Sequence, residues 1–246
     1  MEALRIRPKK QNVWDFDLNS VEKLHKLANS LSVKIETSDD TSILKQPVRI
    51  GNLTAPNSFA TQAMEGCDGD SQGRPGPLTF RRYKRFAAGG AGIIWSEAIA
   101  VVPEGRANPR QLWLNENSKD TFAEMLRQAR ESAHQRFGKN HNPVIVAQLT
   151  HSGRYSKPKG VPEPIIPQHD PYRDAMVPQY PPDASAKKNL APDWPVATDE
   201  YFDQLQEHFV NVAQMAFSAG FDAVDIKACH GYLINEIFAC FNRPGK

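Results

Sequence analysis

Apolar and polar positions follow two alternating periods along this chain from about residue 58 onward. Short apolar runs, typical of buried strands, are separated by longer segments with apolar residues every three or four positions, typical of helices. The strand-like runs are residues 58–64, 91–98, 142–149 and 223–228. The helix-like segments are residues 78–88, 118–137 and 198–219. Strands and helices that alternate in this way predict a parallel sheet covered by helices.

The first part of the chain has a different pattern. Apolar residues at helical spacing predict a short amphipathic helix over residues 19–31. A polar stretch follows, and residues 47–57 then have the character of a hairpin or an extended lead-in. We therefore predict an N-terminal extension over residues 1–55 and a main domain over residues 56–246.

A long segment without helix or strand signals lies between the third strand and the third predicted helix. Residues 152–197 contain ten of the 19 prolines of the chain. Proline lacks a backbone N–H and interrupts regular helix and central strand, so this segment is predicted to be a loop. Because it follows the carboxyl end of a strand, we expect it to overhang any site there.

The composition of the chain argues against some classes of binding partner and indicates a cellular setting. The chain has 246 residues, of which 40% are hydrophobic and 24% charged, and its formal net charge is only +2. This balance predicts no nucleic-acid partner and no anionic membrane surface. The three cysteines are odd in number and form no C-x-x-C pair, which favours a reduced, cytoplasmic setting.

Polar residues follow the predicted strands where each strand ends, and α/β barrels place their chemistry at that end. Gln148 closes the third strand, and its amide both donates and accepts hydrogen bonds. That suits a ligand with mixed polar edges, such as a flavin pyrimidine ring, a purine or a pterin, although a purely structural glutamine is an equal alternative. His230 and Tyr232 follow the fourth strand, and there the functional alternative is favoured over a buried structural histidine.

Two further pairs allow more than one interpretation. His151 and Arg154 would bind an anion or would anchor the long loop, and the second alternative is favoured. Asp225 and Lys227 are two residues apart on a strand and face the same way, so they could form an ion pair inside the sheet. A lysine at a barrel mouth could also hold an anionic ligand.

Four segments of the chain resemble the Old Yellow Enzyme family of FMN-dependent NAD(P)H oxidoreductases and ene-reductases. They are P-N-S-F-A-T-Q-A-M-E-G (56–66), G-G-A-G-I-I-W-S-E-A (89–98), A-Q-L-T-H-S-G-R (147–154) and G-F-D-A-V-D-I-K-A-C-H-G-Y-L-I-N-E-I-F (220–238). The resemblance covers residues 47–246 in order and implies a (β/α)8 TIM barrel, of which this chain holds about the first four β/α units. We therefore expect the chain to be truncated.

The resemblance also implies roles for single residues. Cofactor-binding residues would be Ala63, Met64 and Glu65 from the first strand, Ala98 from the second, and Gln148 at the flavin pyrimidine ring. His230 would hold the electron-withdrawing group of the substrate, and Tyr232 would donate the proton to the carbon opposite the one that receives hydride. Lys227 stands where the family has a histidine, so it would hold a carboxylate or a thioester-linked acid, or would be directed at the flavin. No metal site is expected in this chain.

The implied function is hydride transfer from NADH or NADPH through FMN to an activated C=C bond of a small-molecule substrate. A 4Fe-4S cluster is expected, if at all, only in a missing C-terminal region. One alternative is a non-catalytic half barrel, a fragment or subunit that pairs with a partner or with itself. A weaker alternative is a metal-dependent barrel hydrolase that uses His151 and His230.

Overall fold

The strands that the sequence predicts form one parallel sheet in a computed structural model that describes residues 18–175, 190–241 and 243. A preceding helix, α1, spans Val21–Ser30. The strands are β1 (Val48–Ile50), β2 (Leu53–Ala55), β3 (Ala60–Thr61), β4 (Ile93–Ala100), β5 (Val144–Thr150) and β6 (Ala223–Ile226). The later helices are α2 (Pro77–Ala88), α3 (Lys119–Phe137), α4 (Pro171–Asp174), α5 (Asp199–Ala219) and α6 (Leu233–Ile237).

The sheet has the order β3-β4-β5-β6, and each of its strand pairs is parallel. Neighbouring strands in space are therefore neighbours in sequence, and long helices connect them, as in successive β/α units. The helices cover one face, where Ile94, Ile145 and Leu149 are completely buried against side chains such as Phe122 and Leu126. This outer face holds the main hydrophobic core.

The opposite, inner face of the sheet is closed at its amino end by a hairpin. Strands β1 and β2 pair antiparallel, and Ala55 of β2 packs with Val144 and Val146 of β5 in a second apolar cluster. The carboxyl ends of the strands lie at the other end of this face. On this face of β5, the apolar Val144 and Val146 lie toward the amino end and the polar Gln148 lies toward the carboxyl end.

Local sequence explains where the long helix α5 begins and ends. The hydroxyl of Thr198 accepts a hydrogen bond from the backbone N–H of Tyr201 at 3.2 Å, which caps the first turn. Gly220 ends the helix in the left-handed conformation, with a φ of 103°. These signals bring β6 back to the sheet directly beside β5.

Two segments differ from the sequence predictions. The first strand is shorter than residues 58–64, because only Ala60 and Thr61 pair with β4. The long loop contains a 3₁₀ turn at Gly153–Tyr155, the single-turn helix α4, and a bridge between Ile166 and Val196. Residues 176–189 of this loop lie outside the described residues.

The chain divides into two compact units, Met1–Ile43 and Leu44–Lys246. The first contains α1, whose N-cap Ser20 accepts from the backbone of Lys23. The second contains the β1–β2 hairpin and the parallel sheet. None of the helices in the described ranges is long and apolar enough to cross a membrane.

Candidate active site at the carboxyl ends of the strands

A row of three residues crosses the inner face of the sheet near its carboxyl end. Ala98 of β4 is in register with Gln148 of β5, which is in register with Asp225 of β6. The amide Nε2 of Gln148 donates to Oδ2 of Asp225 at 2.8 Å, and the indole Nε1 of Trp95 donates to the same oxygen at 3.1 Å. The row therefore combines one small side chain with a linked amide and carboxylate.

The segment after β3 forms one wall of this region. Ala63 and Glu65 are half-buried, and Met64 is exposed. The backbone N–H of Gly66 donates to Oε2 of the buried Glu97 at 3.0 Å, so this wall is attached to a β4 side chain instead of the β4 backbone.

Glu97 belongs to a charged network that the sequence analysis missed. Arg82 donates to Glu97 at 2.5 Å and to Asp68 at 2.6 Å, and the hydroxyl of Tyr83 accepts from the backbone N–H of Glu97 at 2.8 Å. Burial raises the pKa of Glu97. Burial also acts to raise the pKa of Asp68, but the hydrogen bonds from Arg82 and Thr79 and the nearby arginine charges together outweigh it, so the pKa of Asp68 is lowered. A glutamate inside an apolar strand was the signal for this network, because such a group needs a buried partner.

Three predicted site residues meet at the mouth of the sheet. The ammonium of Lys227 is 3.3 Å from Oε1 of Glu65 and 4.3 Å from the ring centroid of Tyr232. The hydroxyl of Tyr232 donates to the same Glu65 oxygen at 3.5 Å. Lys227 is 5% exposed, so this charge is almost removed from water. Burial, followed by the Glu65 carboxylate, raises the pKa of Tyr232.

The partner of Lys227 is thus Glu65, across the site, and the carboxylate of Asp225 receives the hydrogen bonds of Gln148 and Trp95 instead. The sequence admitted an ion pair between Lys227 and Asp225 because residues two apart share a strand face. The structure separates them: β6 ends at Ile226, so Lys227 lies just past the strand.

The turn between β6 and α6 presents His230. His230 has a φ of 60° and Gly231 a φ of 67°, so two successive residues are left-handed. The backbone N–H of Gly231 donates to Oδ1 of Asn235 at 2.9 Å, which fixes the turn on α6. His230 is exposed, and its ring centroid is 6.5 Å from that of Tyr232. A non-glycine residue in this conformation is uncommon and is found disproportionately at functional sites.

His151 and Arg154 do not face this group of residues. Arg154 is 2% exposed and donates to Glu236 of α6 at 2.6 Å, and it also pairs with Asp174 of α4. His151 contacts the hydroxyl of Tyr201 at 2.8 Å, and burial lowers the pKa of its ring to about 3. These contacts support the loop-anchoring alternative.

Within the described ranges, no group of three or more histidine, cysteine, aspartate or glutamate side chains is placed to hold a metal ion. That part of the chain offers no ligand set for the metal-hydrolase alternative.

Comparison with known proteins then assigns the chain to a family. Residues 44–242 match the family model described as the NADH:flavin oxidoreductase / NADH oxidase family. The chain belongs to this family. The NADPH dehydrogenase of Halalkalibacterium halodurans is 32% identical over 167 residues, which cover 68% of this chain and 42% of the relative. The NADPH dehydrogenase of Geobacillus sp. (strain WCH70) is 29% identical over 202 residues, which cover 80% of this chain and 51% of the relative.

Solved structures share the fold of this chain. A morphinone reductase variant in complex with tetrahydroNAD superposes with a TM-score of 0.63 at 22% identity, covering 82% of this chain and 54% of that one. The Old Yellow Enzyme homologue from Zymomonas mobilis gives 0.61 at 23% identity, covering 78% and 50%. The predictions of the Old Yellow Enzyme family and of a partial (β/α)8 barrel are confirmed. The chain spans about half the length of the curated relatives described above.

Proposed function

We propose that the protein is an FMN-dependent oxidoreductase that passes hydride from NADH or NADPH to an activated C=C bond of a small molecule. The observation that carries this proposal is one arrangement at the carboxyl end of the sheet. The Ala98–Gln148 row lies at the same end as Lys227, His230 and Tyr232. The candidate cofactor-binding residues and the side chains that could donate protons thus lie at the same end of the sheet.

The residues present fit a flavin. Ala98 is in register with Gln148, so a small, buried side chain stands next to an amide on the inner face. The amide of Gln148 is half-buried and offers both a donor and an acceptor, as the pyrimidine edge of a flavin requires. Gln148 and Ala98 would hold the ring, together with Ala63, Met64 and Glu65 from the wall after β3.

FMN supplies two-electron redox chemistry that amino-acid side chains lack. The side chains of this chain bind and polarise the acceptor. His230 would donate a hydrogen bond to the carbonyl oxygen of the substrate, which stabilises the negative charge that develops there. Tyr232 would donate its hydroxyl proton to the neighbouring carbon. Its raised pKa keeps that proton in place at neutral pH.

The electron donor and the compartment are part of the same proposal. The curated relatives described above are NADPH dehydrogenases, and the morphinone reductase structure contains tetrahydroNAD. These names support a nicotinamide donor here. Cys67, Cys229 and Cys240 are free thiols, in keeping with a reducing, cytoplasmic setting.

The test is to purify the protein as its gene encodes it and to measure its flavin content and its alkene-dependent oxidation of NADPH and NADH. We expect stoichiometric FMN and a nicotinamide oxidation that depends on a cyclic enone. A protein that neither retains nor binds FMN, and that reduces no enone with either donor, contradicts the proposal.

The same preparation tests the non-catalytic alternative. β3 and β6 are the edge strands of the described four-stranded sheet, and open edges favour pairing with another chain. A defined oligomer that lacks flavin and activity would favour a half-barrel subunit. A flavin-loaded protein that reduces alkenes would exclude it.

A further inference from the structure

Lys227 and Glu65 form an ion pair across the mouth of the site. Lys227 follows β6, and Glu65 lies on the opposite wall after β3, so the pair joins segments 162 residues apart in sequence. The side chain of Lys227 is 5% exposed and that of Glu65 is 23% exposed. Both charges are therefore largely shielded from water.

The position of the ammonium is determined on two sides. Oε1 of Glu65 lies 3.3 Å from Nζ of Lys227, and the Tyr232 ring lies beneath the same Nζ with its centroid 4.3 Å away. A cation between a carboxylate and an aromatic face is stabilised by both. Moving Lys227 toward a substrate would break both contacts and leave a shielded carboxylate without its cation.

From this geometry we propose that Glu65 is a specificity-determining residue. It neutralises Lys227 and restricts the site to neutral, carbonyl-activated alkenes, so that carboxylate substrates are rejected. This inference rests on the proposed function and names its substrate class.

The physical reason is electrostatic. An incoming carboxylate near Lys227 would also lie near Glu65, whose repulsion opposes the attraction of the ammonium. A neutral carbonyl brings no charge and needs only a donor, which His230 provides on the adjacent turn. Lys227 thus occupies the position of a substrate ligand, but its charge is paired with Glu65 and not with the substrate.

The experiment compares two probes that differ mainly in charge, cinnamamide and cinnamate. Their dissociation constants are measured by calorimetry on the oxidised, FMN-loaded protein without nicotinamide, so no turnover is needed. We expect the wild type to bind cinnamamide more tightly than cinnamate by about tenfold or more. Equal binding, a preference for cinnamate, or no binding of either probe contradicts the proposal.

Variants of Glu65 and Lys227 test whether the preference between the two probes arises from this ion pair. Glu65→Gln should lower the cinnamamide-to-cinnamate preference by about tenfold, because the charge of Lys227 then has no carboxylate partner in Glu65. Adding Lys227→Met to that variant should remove the increase in cinnamate affinity that Glu65→Gln produces. Glu65→Asp, which keeps the charge, should retain most of the wild-type preference. Glu207→Gln removes an equal charge from the exposed face of α5 and should leave the preference unchanged.

Two controls keep the conclusions separate. Flavin content and circular dichroism show whether each variant is folded and loaded, and the wild-type comparison needs no variant. Wild-type protein that reduces enones but prefers cinnamate would contradict this inference and leave the proposed function intact. Protein without flavin or alkene reduction would contradict the proposed function itself.

Discussion

The amide Nε2 of Gln148 donates a 2.8 Å hydrogen bond to the carboxylate of Asp225 on the neighbouring strand. The two residues are in register on the inner face of the sheet, so the bond orients the amide across the strands. An amide oriented by a fixed partner presents its remaining donor and acceptor in one direction. This relationship makes Gln148 the best-defined candidate for contact with a flavin edge.

Replacing Gln148 should therefore weaken flavin binding. Gln148→Leu removes the donor and the acceptor, and we expect the dissociation constant of FMN to rise about tenfold, the value of roughly one hydrogen bond to a polar ring. Fluorescence quenching of FMN measures the constant. Gln135→Leu, at an exposed position of α3, is the matched control. Equal FMN affinity of Gln148→Leu and wild type would remove Gln148 from the cofactor site.

Tyr232→Phe should separate the two half-reactions. We expect alkene reduction to slow by roughly 10²-fold or more, as for loss of a general acid, with flavin reduction by NADPH nearly unchanged. Because the pKa of Tyr232 is raised, the hydroxyl stays protonated from neutral pH up to a pH of about 10, the ordinary pKa of a tyrosine. Stopped-flow absorbance at the flavin band follows each half-reaction. Tyr172→Phe, at an 83% exposed position, is the control, and equal slowing of both steps by Tyr232→Phe would exclude a proton-donor role.

Arg154→Ala should destabilise the fold. It leaves Glu236, which is 3% exposed, without its closest cation, and it removes the arginine partner of Asp174, which keeps His169. Removing one partner of a buried ion pair costs about 3–5 kcal/mol in the free energy of unfolding. Urea denaturation measures it, with Arg127→Ala as the control because Arg127 pairs with Glu124 on an exposed surface. A loss as small as in that control would show that the loop is anchored elsewhere.

Gly153→Ala tests a close approach of two segments. Gly153 has a φ of 58°, and a Cβ there would lie 2.8 Å from the backbone nitrogen of Leu233. Gly51 has a φ of 60° with nothing within 4 Å, so Gly51→Ala measures the backbone strain alone. We expect Gly153→Ala to reduce the free energy of unfolding by about 1–3 kcal/mol more than Gly51→Ala. Equal losses would mean that Leu233 moves aside freely.

The buried ring of His151 should make stability depend on pH. Its folded-state pKa is lowered to about 3, whereas an unfolded histidine titrates near 6.5. Between these two pKa values the unfolded chain binds a proton at this histidine and the folded chain does not. The free energy of unfolding therefore decreases as pH falls from about 6.5 toward 3, by about 1.4 kcal/mol per pH unit. In urea denaturation at several pH values, the free energy of unfolding of His151→Leu should depend less steeply on pH over this range. His208→Gln, at an exposed position, should keep the wild-type slope.

Local patterns in the sequence predicted most elements of the fold. The helices over residues 78–88, 118–137 and 198–219 are found within one or two residues, because amphipathic spacing and caps such as Thr198 and Gly220 act over a few residues. The first strand was the exception: only Ala60 and Thr61 pair with β4, and the N–H of Gly66 donates to the side chain of Glu97 and not to the β4 backbone.

For the candidate site, the sequence determined which residues stand at the carboxyl ends of the strands, because strand boundaries and chain order settle that much. It could not determine the partner of each charge. Lys227 pairs with Glu65, Arg154 with Glu236, and Arg82 with Glu97 and Asp68. Such partners are brought together by sheet register and loop packing, which join segments far apart in sequence. Only the tertiary structure decides which carboxylate a buried cation meets.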